Sequence, residues 1–200
     1  MSKSNIYPIS KSFVSRNEKE YLIGSKSGVF WLFGLSGSGK STLAMELEKK
    51  LHSNHIYSII LDGDDLRSGL NQDLGFSVTD RRENIRRVSE LAKTLCHAGQ
   101  VTIVSCITPK NEFRETAKDI IGIKNFHGIY VKASYSECAK RDVKGLYAKA
   151  SADEIESFTG KQSDFEEPEN TALILDTEKE DIDDSLNRLY SFVNRMIQIK

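Results

Sequence analysis

Cysteine, charge of one sign and long apolar runs are all scarce in this chain, and each scarcity excludes a class of protein. Three cysteines (Cys96, Cys106 and Cys138) in 200 residues are too few and too scattered for a disulfide framework. Two of them sit in apolar segments, which predicts reduced core thiols and a cytoplasmic protein. No metal-ligand spacing joins them to the four histidines. The 28 Lys and Arg against 29 Asp and Glu leave a net charge of −1, so nothing draws the whole chain to nucleic acid or to a membrane. No apolar run approaches membrane-spanning length, and Met1–Ser15 is polar without a signal core. Repeats and low-complexity linkers are also missing. What is left has an ordinary hydrophobic content of 38%, enough for one α/β domain with a substantial core. Residues 1–15 read as an extended N-terminal arm and 16–200 as a single domain.

What the chain does have is Gly34-Leu35-Ser36-Gly37-Ser38-Gly39-Lys40-Ser41, which fits G-x-x-x-x-G-K-[ST], the phosphate-binding P-loop. Both flanks agree with that reading. The apolar run Val29–Phe33 has strand length, and Thr42–Leu51 is helix-forming. Strand, glycine turn and helix in that order gather backbone N–H groups and a positive helix end around a polyphosphate. Gly37 and Gly39 let the backbone approach phosphate without a Cβ in the way. Lys40 supplies a point charge for the β- and γ-phosphates, and the Ser41 hydroxyl is placed to ligate Mg²⁺.

Further strands are predicted at 56–61, 101–107, 126–132 and 172–175, and helices at 16–22, 79–97, 111–121, 134–141 and 181–199. Residues 143–170 read as an irregular lid. The alternation predicts an α/β fold: a parallel five-stranded sheet covered by helices on both faces, three layers with a lid segment. Ligands on such a sheet lie at the carboxyl ends of the strands. The P-loop, Asp62 and Thr108 all fall at such ends.

Asp62 opens the cluster Asp62-Gly63-Asp64-Asp65 just past the second strand. Phosphoryl transfer needs Mg²⁺ and a carboxylate to orient the attacking hydroxyl, so Asp62 is the first candidate and Asp64 the second. The competing reading is a helix N-cap cluster, and one aspartate can serve both roles. On the helix from Thr79, Ile85, Val88, Leu91, Ala92 and Leu95 form an apolar stripe. Most charges lie off it and suit i,i+4 pairs such as Glu83–Arg87 and Arg86–Glu90. Arg81 and Asn84 instead extend the stripe, and a polar pair on an inner face needs a partner, which an anionic ligand would supply.

The blocks Leu61-Asp62-Gly63-Asp64-Asp65-Leu66-Arg67-Ser68-Gly69-Leu70-Asn71, Asp73-Leu74-Gly75-Phe76 and Asp80-Arg81-Arg82-Glu83-Asn84-Ile85-Arg86-Arg87 resemble adenylylsulfate kinase (APS kinase). The resemblance continues through Arg141-Asp142-Val143-Lys144-Gly145-Leu146-Tyr147, Phe158-Thr159-Gly160, Pro168-Glu169-Asn170 and Leu175-Asp176-Thr177, over roughly residues 10–177. It implies a P-loop kinase that uses ATP and Mg²⁺ to phosphorylate the 3′-hydroxyl of adenosine 5′-phosphosulfate (APS), giving PAPS, within sulfate assimilation. By that resemblance Phe76 and Phe158 sandwich the acceptor adenine, and Arg67, Arg81 and Asn84 hold the phosphosulfate. Ile107 and Thr108 belong to the acceptor pocket. Lys144 and Leu146 close from the lid, although Lys144 also reads as a solvated surface charge. The P-loop with Thr42 binds ATP. Arg141 is read as a contact to the ATP base or phosphates, with a structural ion pair as the other reading. Ser41 and Asp62 are the expected Mg²⁺ ligands, and the expected assembly is a homodimer.

The chain departs from the family at Ile107-Thr108-Pro109-Lys110-Asn111, where the usual segment is Ile-Ser-Pro-Tyr-Arg. The serine that some members phosphorylate is Thr108 here, read first as a pocket residue and second as a phospho-intermediate position. Asp65, Ser68 and Val143 replace Asn, His and Pro. These changes motivate a second reading, a kinase for another nucleotide with a phosphosulfate-like 5′-group, such as a nucleoside diphosphoramidate. A third, a nucleotide-binding regulatory module or GTPase, finds no Asn-Lys-x-Asp guanine motif.

Overall fold

A computed structural model describes residues 7, 9–152, 154, 159–160 and 164–199. Its element order is α1 (Arg16–Ile23), β1 (Gly28–Phe33), α2 (Lys40–Ser53), β2 (Ser58–Asp62), α3 (Gly63–Ser68), α4 (Val78–His97), β3 (Val101–Ser105), α5 (Asn111–Ile121), β4 (Phe126–Lys132), α6 (Tyr135–Arg141), α7 (Leu146–Ser151), β5 (Leu173–Asp176) and α8 (Ile182–Ile197). The five strands form one parallel sheet in the order β2-β3-β1-β4-β5.

β1 is central and buried along its whole length. Side chains alternate across a strand, so Val29, Trp31 and Phe33 face one layer while Phe30 and Leu32 face the other. The first set packs with α4 (Ile85, Val88, Ala92) and α5 (Phe113, Ala117, Ile121). The second packs with α2 (Leu43, Leu47, Leu51) and α8 (Leu189, Val193, Ile197). The result is the three-layer α/β sandwich that the alternating pattern predicts.

Several local expectations need correcting. The lid is not wholly irregular, because 146–151 forms α7. The Asp142 carboxylate accepts from the N–H groups of Tyr147 (2.9 Å) and Ala148 (3.0 Å), starting the helix. Tyr147 and Ala150 then bury against Leu35, Ala133 and Cys138 in a small satellite core. The N-cap reading of the aspartate cluster, by contrast, is seen: 63–68 is a short helix with Asp62 as its N-cap. The arm is not uniformly extended, since Ser10–Ser12 makes a 3₁₀ turn. β3 stops at Ser105, two residues short of expectation. Arg86 does not pair with Glu90; it turns back to Glu83 (2.7 Å), which also receives Arg87 (2.9 Å).

Far from the carboxyl ends, α1 is fastened by polar contacts. Ser15 and Glu18 form a capping box. Glu20 Oε1 accepts from Arg16 Nε (2.6 Å) and from the Ser27 N–H (2.8 Å), and Arg16 also reaches Asn125 Oδ1 (2.6 Å). This leaves the opposite edge of the sheet to carry the site.

Candidate active site

A single cleft of about 920 Å³ runs over the carboxyl ends of the strands. One end is lined by the P-loop and the start of α2, the other by Arg67, Phe76, Arg81 and Asn84, with Asp62 also on its wall. Ile107, Thr108, Arg141, Lys144 and Leu146 line it too. Of the P-loop residues, Gly34, Leu35 and Ser38 are not in its lining; they build the loop from behind. Gly34 has φ 153°, and a Cβ there would stand 2.2 Å from the Val131 carbonyl oxygen, so only glycine lets β1 turn into the loop beside β4. Ser38 is buried, and its carbonyl accepts from Thr177 Oγ1 (2.9 Å). Phe158 lies outside the described residues.

Lys40 is only 7% exposed, and its Nζ donates to the Leu35 carbonyl (2.7 Å). Burial pulls its pKa down to about 8. The thiols of Cys106 and Cys138 lie close to it, but burial pushes Cys106 up to about 12, so that thiol stays protonated where Lys40 titrates. An ammonium in this setting is short of counter-charge, which a polyphosphate would supply.

Asp62 is held from three sides. Its Oδ2 accepts from Ser41 Oγ (2.9 Å) and its Oδ1 from the Asp64 N–H (2.9 Å). Ser105 Oγ lies 3.2 Å from Ser41 Oγ and joins the network. Burial pushes the Asp62 carboxyl up, but the Asp64 N–H, the Ser41 and Ser105 hydroxyls and the charge of Lys144 outweigh it, and the net pKa is below the usual value. Asp62 is therefore a carboxylate at neutral pH, both helix N-cap and site group. Such a group accepts a hydrogen bond well and removes a proton poorly. Asp64 has a different partner: its carboxylate pairs with Lys144 of the lid, and both side chains remain exposed, so Lys144 is a paired surface charge at the cleft.

At the other end two arginines organise the Leu74–Phe76 turn. Arg67 Nη1 donates to the Gly75 carbonyl (2.8 Å), and its guanidinium sits 4.6 Å from the Phe76 ring centroid. Arg81 Nε donates to the Phe76 carbonyl (2.8 Å), and its Nη1 bonds the Thr159 hydroxyl. Phe76 remains 60% exposed. Asn84 is buried, and its Oδ1 accepts from Asn71 Nδ2 (3.0 Å). The expected inner-face pair thus has protein partners of its own, and a ligand is not required to satisfy it.

Thr108 is 1% exposed and sits at φ 44°, a rare conformation for a β-branched residue. Its hydroxyl accepts from Trp31 Nε1 (2.8 Å) and faces the Cys106 carbonyl (3.3 Å). A hydroxyl so engaged is a wall group, which weighs against a phospho-intermediate. Arg141 braces the P-loop: Nη1 donates to Thr177 Oγ1 (3.1 Å), Nη2 to the Thr177 carbonyl (2.6 Å), and Nη1 lies 3.5 Å from the Gly37 carbonyl. It also pairs with Glu137 (3.3 Å), so the structural reading of Arg141 holds alongside its place in the cleft.

Sequence reasoning missed Ser105, Thr177 and Arg114. Ser105 and Thr177 carried a signal, since both are hydroxyl residues at the carboxyl end of a strand, Ser105 closing β3 and Thr177 directly following β5. Arg114 carried one too, as an arginine beside the apolar stripe of α5.

Residues 26–176 match the family model described as adenylylsulphate kinase. An adenylyl-sulfate kinase of Phocaeicola vulgatus is 51% identical over 96% of this chain and 95% of its own length. One from Bacteroides thetaiotaomicron is 50% identical over 99% and 98%. A solved APS kinase of Mycobacterium tuberculosis in complex with AMPPNP and APS superposes with a TM-score of 0.81 at 40% identity, over 84% of this chain and 98% of that one.

Proposed function

Because the chain belongs to the adenylylsulphate kinase family, we propose that its cleft transfers the γ-phosphoryl group of ATP to the 3′-hydroxyl of APS, giving PAPS and ADP. The observation that carries this reading is the shared cleft: a phosphate cradle at one end, an arginine and phenylalanine socket at the other, and Asp62 on the wall they share. A ligand filling the socket carries a flat base and an anionic 5′-group.

The residues divide the work as follows. The P-loop N–H groups and Lys40 hold the β- and γ-phosphates and stabilise charge on the leaving oxygen. Asp62 accepts a hydrogen bond from the 3′-hydroxyl and aligns it for in-line attack. In a loose transition state the proton leaves late, so a carboxylate below its usual pKa suffices. Arg67, Arg81 and the NH₂ of Asn84 face the phosphosulfate. Lys144 and Leu146 cover the site and limit access of water, a competing acceptor.

Mg²⁺ fits Ser41 and Asp62, whose hydroxyl and carboxylate oxygens form a hard donor set 2.9 Å apart. Bound there, the ion would neutralise phosphate charge. Among the described residues no helix is long and apolar enough to cross a membrane. All three cysteines are unpaired, which suits the cytoplasm. We also propose a homodimer. Tyr7, Ile9, Phe13 and Val14 of the arm and Tyr21 and Leu22 of α1 are large apolar side chains left exposed, and a second copy would cover them. Sedimentation showing a monomer throughout the micromolar range would reject the dimer.

Calorimetry of APS, AMP and a cytidine nucleotide with MgADP present tests the acceptor. APS should bind in preference to both, and Phe76→Ala should weaken APS by about 1–3 kcal/mol while MgADP binding is unchanged. Preference for the cytidine nucleotide would reject APS as the acceptor.

A further inference from the structure

Arg114 lies on the buried face of α5 beside Phe113, Ala117 and Ile121, and it is only 6% exposed. A guanidinium on an inner face must find acceptors or destabilise the fold. Its acceptors are neutral oxygens from three places. Nη1 donates to the Thr108 carbonyl (3.0 Å), and Nη2 donates to Asn111 Oδ1 (2.6 Å) and to the Glu166 carbonyl (2.6 Å). The Phe33 and Phe165 ring centroids lie 4.8 and 5.5 Å from the guanidinium.

Two further bonds join the same segments. The Glu166 N–H donates to the Pro109 carbonyl (2.9 Å), and the Asn111 N–H donates to Glu166 Oε2 (2.7 Å). Residues 108–111 and 165–166 are therefore laced together around one arginine. Thr108, at its unfavourable φ of 44°, is the residue whose carbonyl the arginine holds. Ile107, Thr108 and Pro109 form cleft wall, and the three hydrogen bonds above tie Arg114 to residues 108, 111 and 166 and not to the P-loop.

We infer that Arg114 is a positioning residue for the acceptor: it holds the Ile107–Pro109 wall in its strained conformation and fastens it to the returning end of the lid at Glu166. It acts through the wall and does not touch the reacting atoms. A planar fork serves acceptors on separate segments at once, which a lysine ammonium on a flexible stem does not. The inference rests on reading this end of the cleft as the acceptor site.

Steady-state kinetics with APS and ATP varied separately test it. Arg114→Gln should raise the APS KM by roughly tenfold or more, with the ATP KM within about twofold of wild type. Arg114→Lys should recover less than half of that loss. Glu166→Ala, at an exposed position, removes the acceptor for the Asn111 N–H and the carboxylate charge that attracts Arg114, leaves the Glu166 carbonyl that Arg114 bonds, and should raise the APS KM in the same direction by a smaller factor. Equal changes in both KM values, an unchanged APS KM in a folded variant, or full recovery with lysine would overturn the inference. If Arg114→Gln does not fold, Glu166→Ala decides, and an unchanged APS KM overturns. Wild-type protein that fails to bind APS would instead overturn the reading of the site.

Discussion

Lys40 should take up a proton when nucleotide binds at alkaline pH. The side chain is buried beside the Leu35 carbonyl, and burial lowers its pKa from the ordinary 10.5 to about 8. Keeping it charged in the free cleft costs roughly 3 kcal/mol relative to water. A β-phosphate beside it removes that penalty and restores a pKa at or above the ordinary value. At pH 9 the free site is then about one-tenth protonated and the bound site nearly fully so, an uptake of about 0.9 proton per site. At pH 7 both are charged and uptake is close to zero. The sign follows from proton counts. Between about pH 8 and 10.5 the unfolded chain binds more protons than the free native protein at this position, so the free protein gains stability as pH rises through that window. Nucleotide affinity moves the other way, falling up to about tenfold per pH unit above pH 8. Neighbouring groups do not confuse the measurement. Lys144, raised by its bond to Asp64, stays charged at pH 9, and Cys106, near 12, stays a thiol. Calorimetry of MgADP at pH 7 and 9, in buffers of high and low ionisation enthalpy, counts the protons directly. Tight binding at pH 9 with no uptake would refute the argument that Lys40 is desolvated and only partly compensated by Asp62 until phosphate arrives.

Three other outcomes are expected. Asp62→Asn keeps the shape but weakens the acceptor for the 3′-hydroxyl, so kcat should fall by about a hundredfold or more with little change in MgADP affinity; a wild-type rate would move the role to Asp64. Thr108→Ala should retain measurable activity with no phosphothreonine detectable by mass spectrometry, because the hydroxyl is engaged by Trp31 and buried; a dead variant together with a trapped phosphothreonine would reverse this. His127 stacks on Phe30 at 5.1 Å, and burial lowers its pKa below the ordinary 6.5. Its stabilising neutral form is fully present above pH 6.5 and is lost as pH falls through the lower folded value, so thermal stability should drop more between pH 7.5 and 5 in wild type than in His127→Phe; equal drops would show that His127 does not contribute.

The P-loop, the strand alternation and the order of the elements could all be read along the chain. Each depends on neighbours in sequence: glycines at a turn, apolar side chains at period two or near 3.6, an aspartate closing a strand. That locality is why Lys40, Ser41 and Asp62 stand out as candidates from the chain alone. It also explains the errors. α7 forms because the Asp142 carboxylate accepts from its first N–H groups and Tyr147 packs with Leu35 of the P-loop, and that second partner is not visible in a window around residues 146–151. Helical periodicity puts Arg81 and Asn84 on an inner face, but their partners, Thr159 and Asn71, come from segments that periodicity does not connect to them. The Asp64–Lys144 pair and the lacing of Arg114 to Glu166 span 80 and 52 residues. Pattern along a chain decides which groups are available and which face they take. Which of them meet, and what burial then does to the charge on Lys40 or the backbone of Thr108, is decided only when the sheet brings its strand ends together and excludes water from between them.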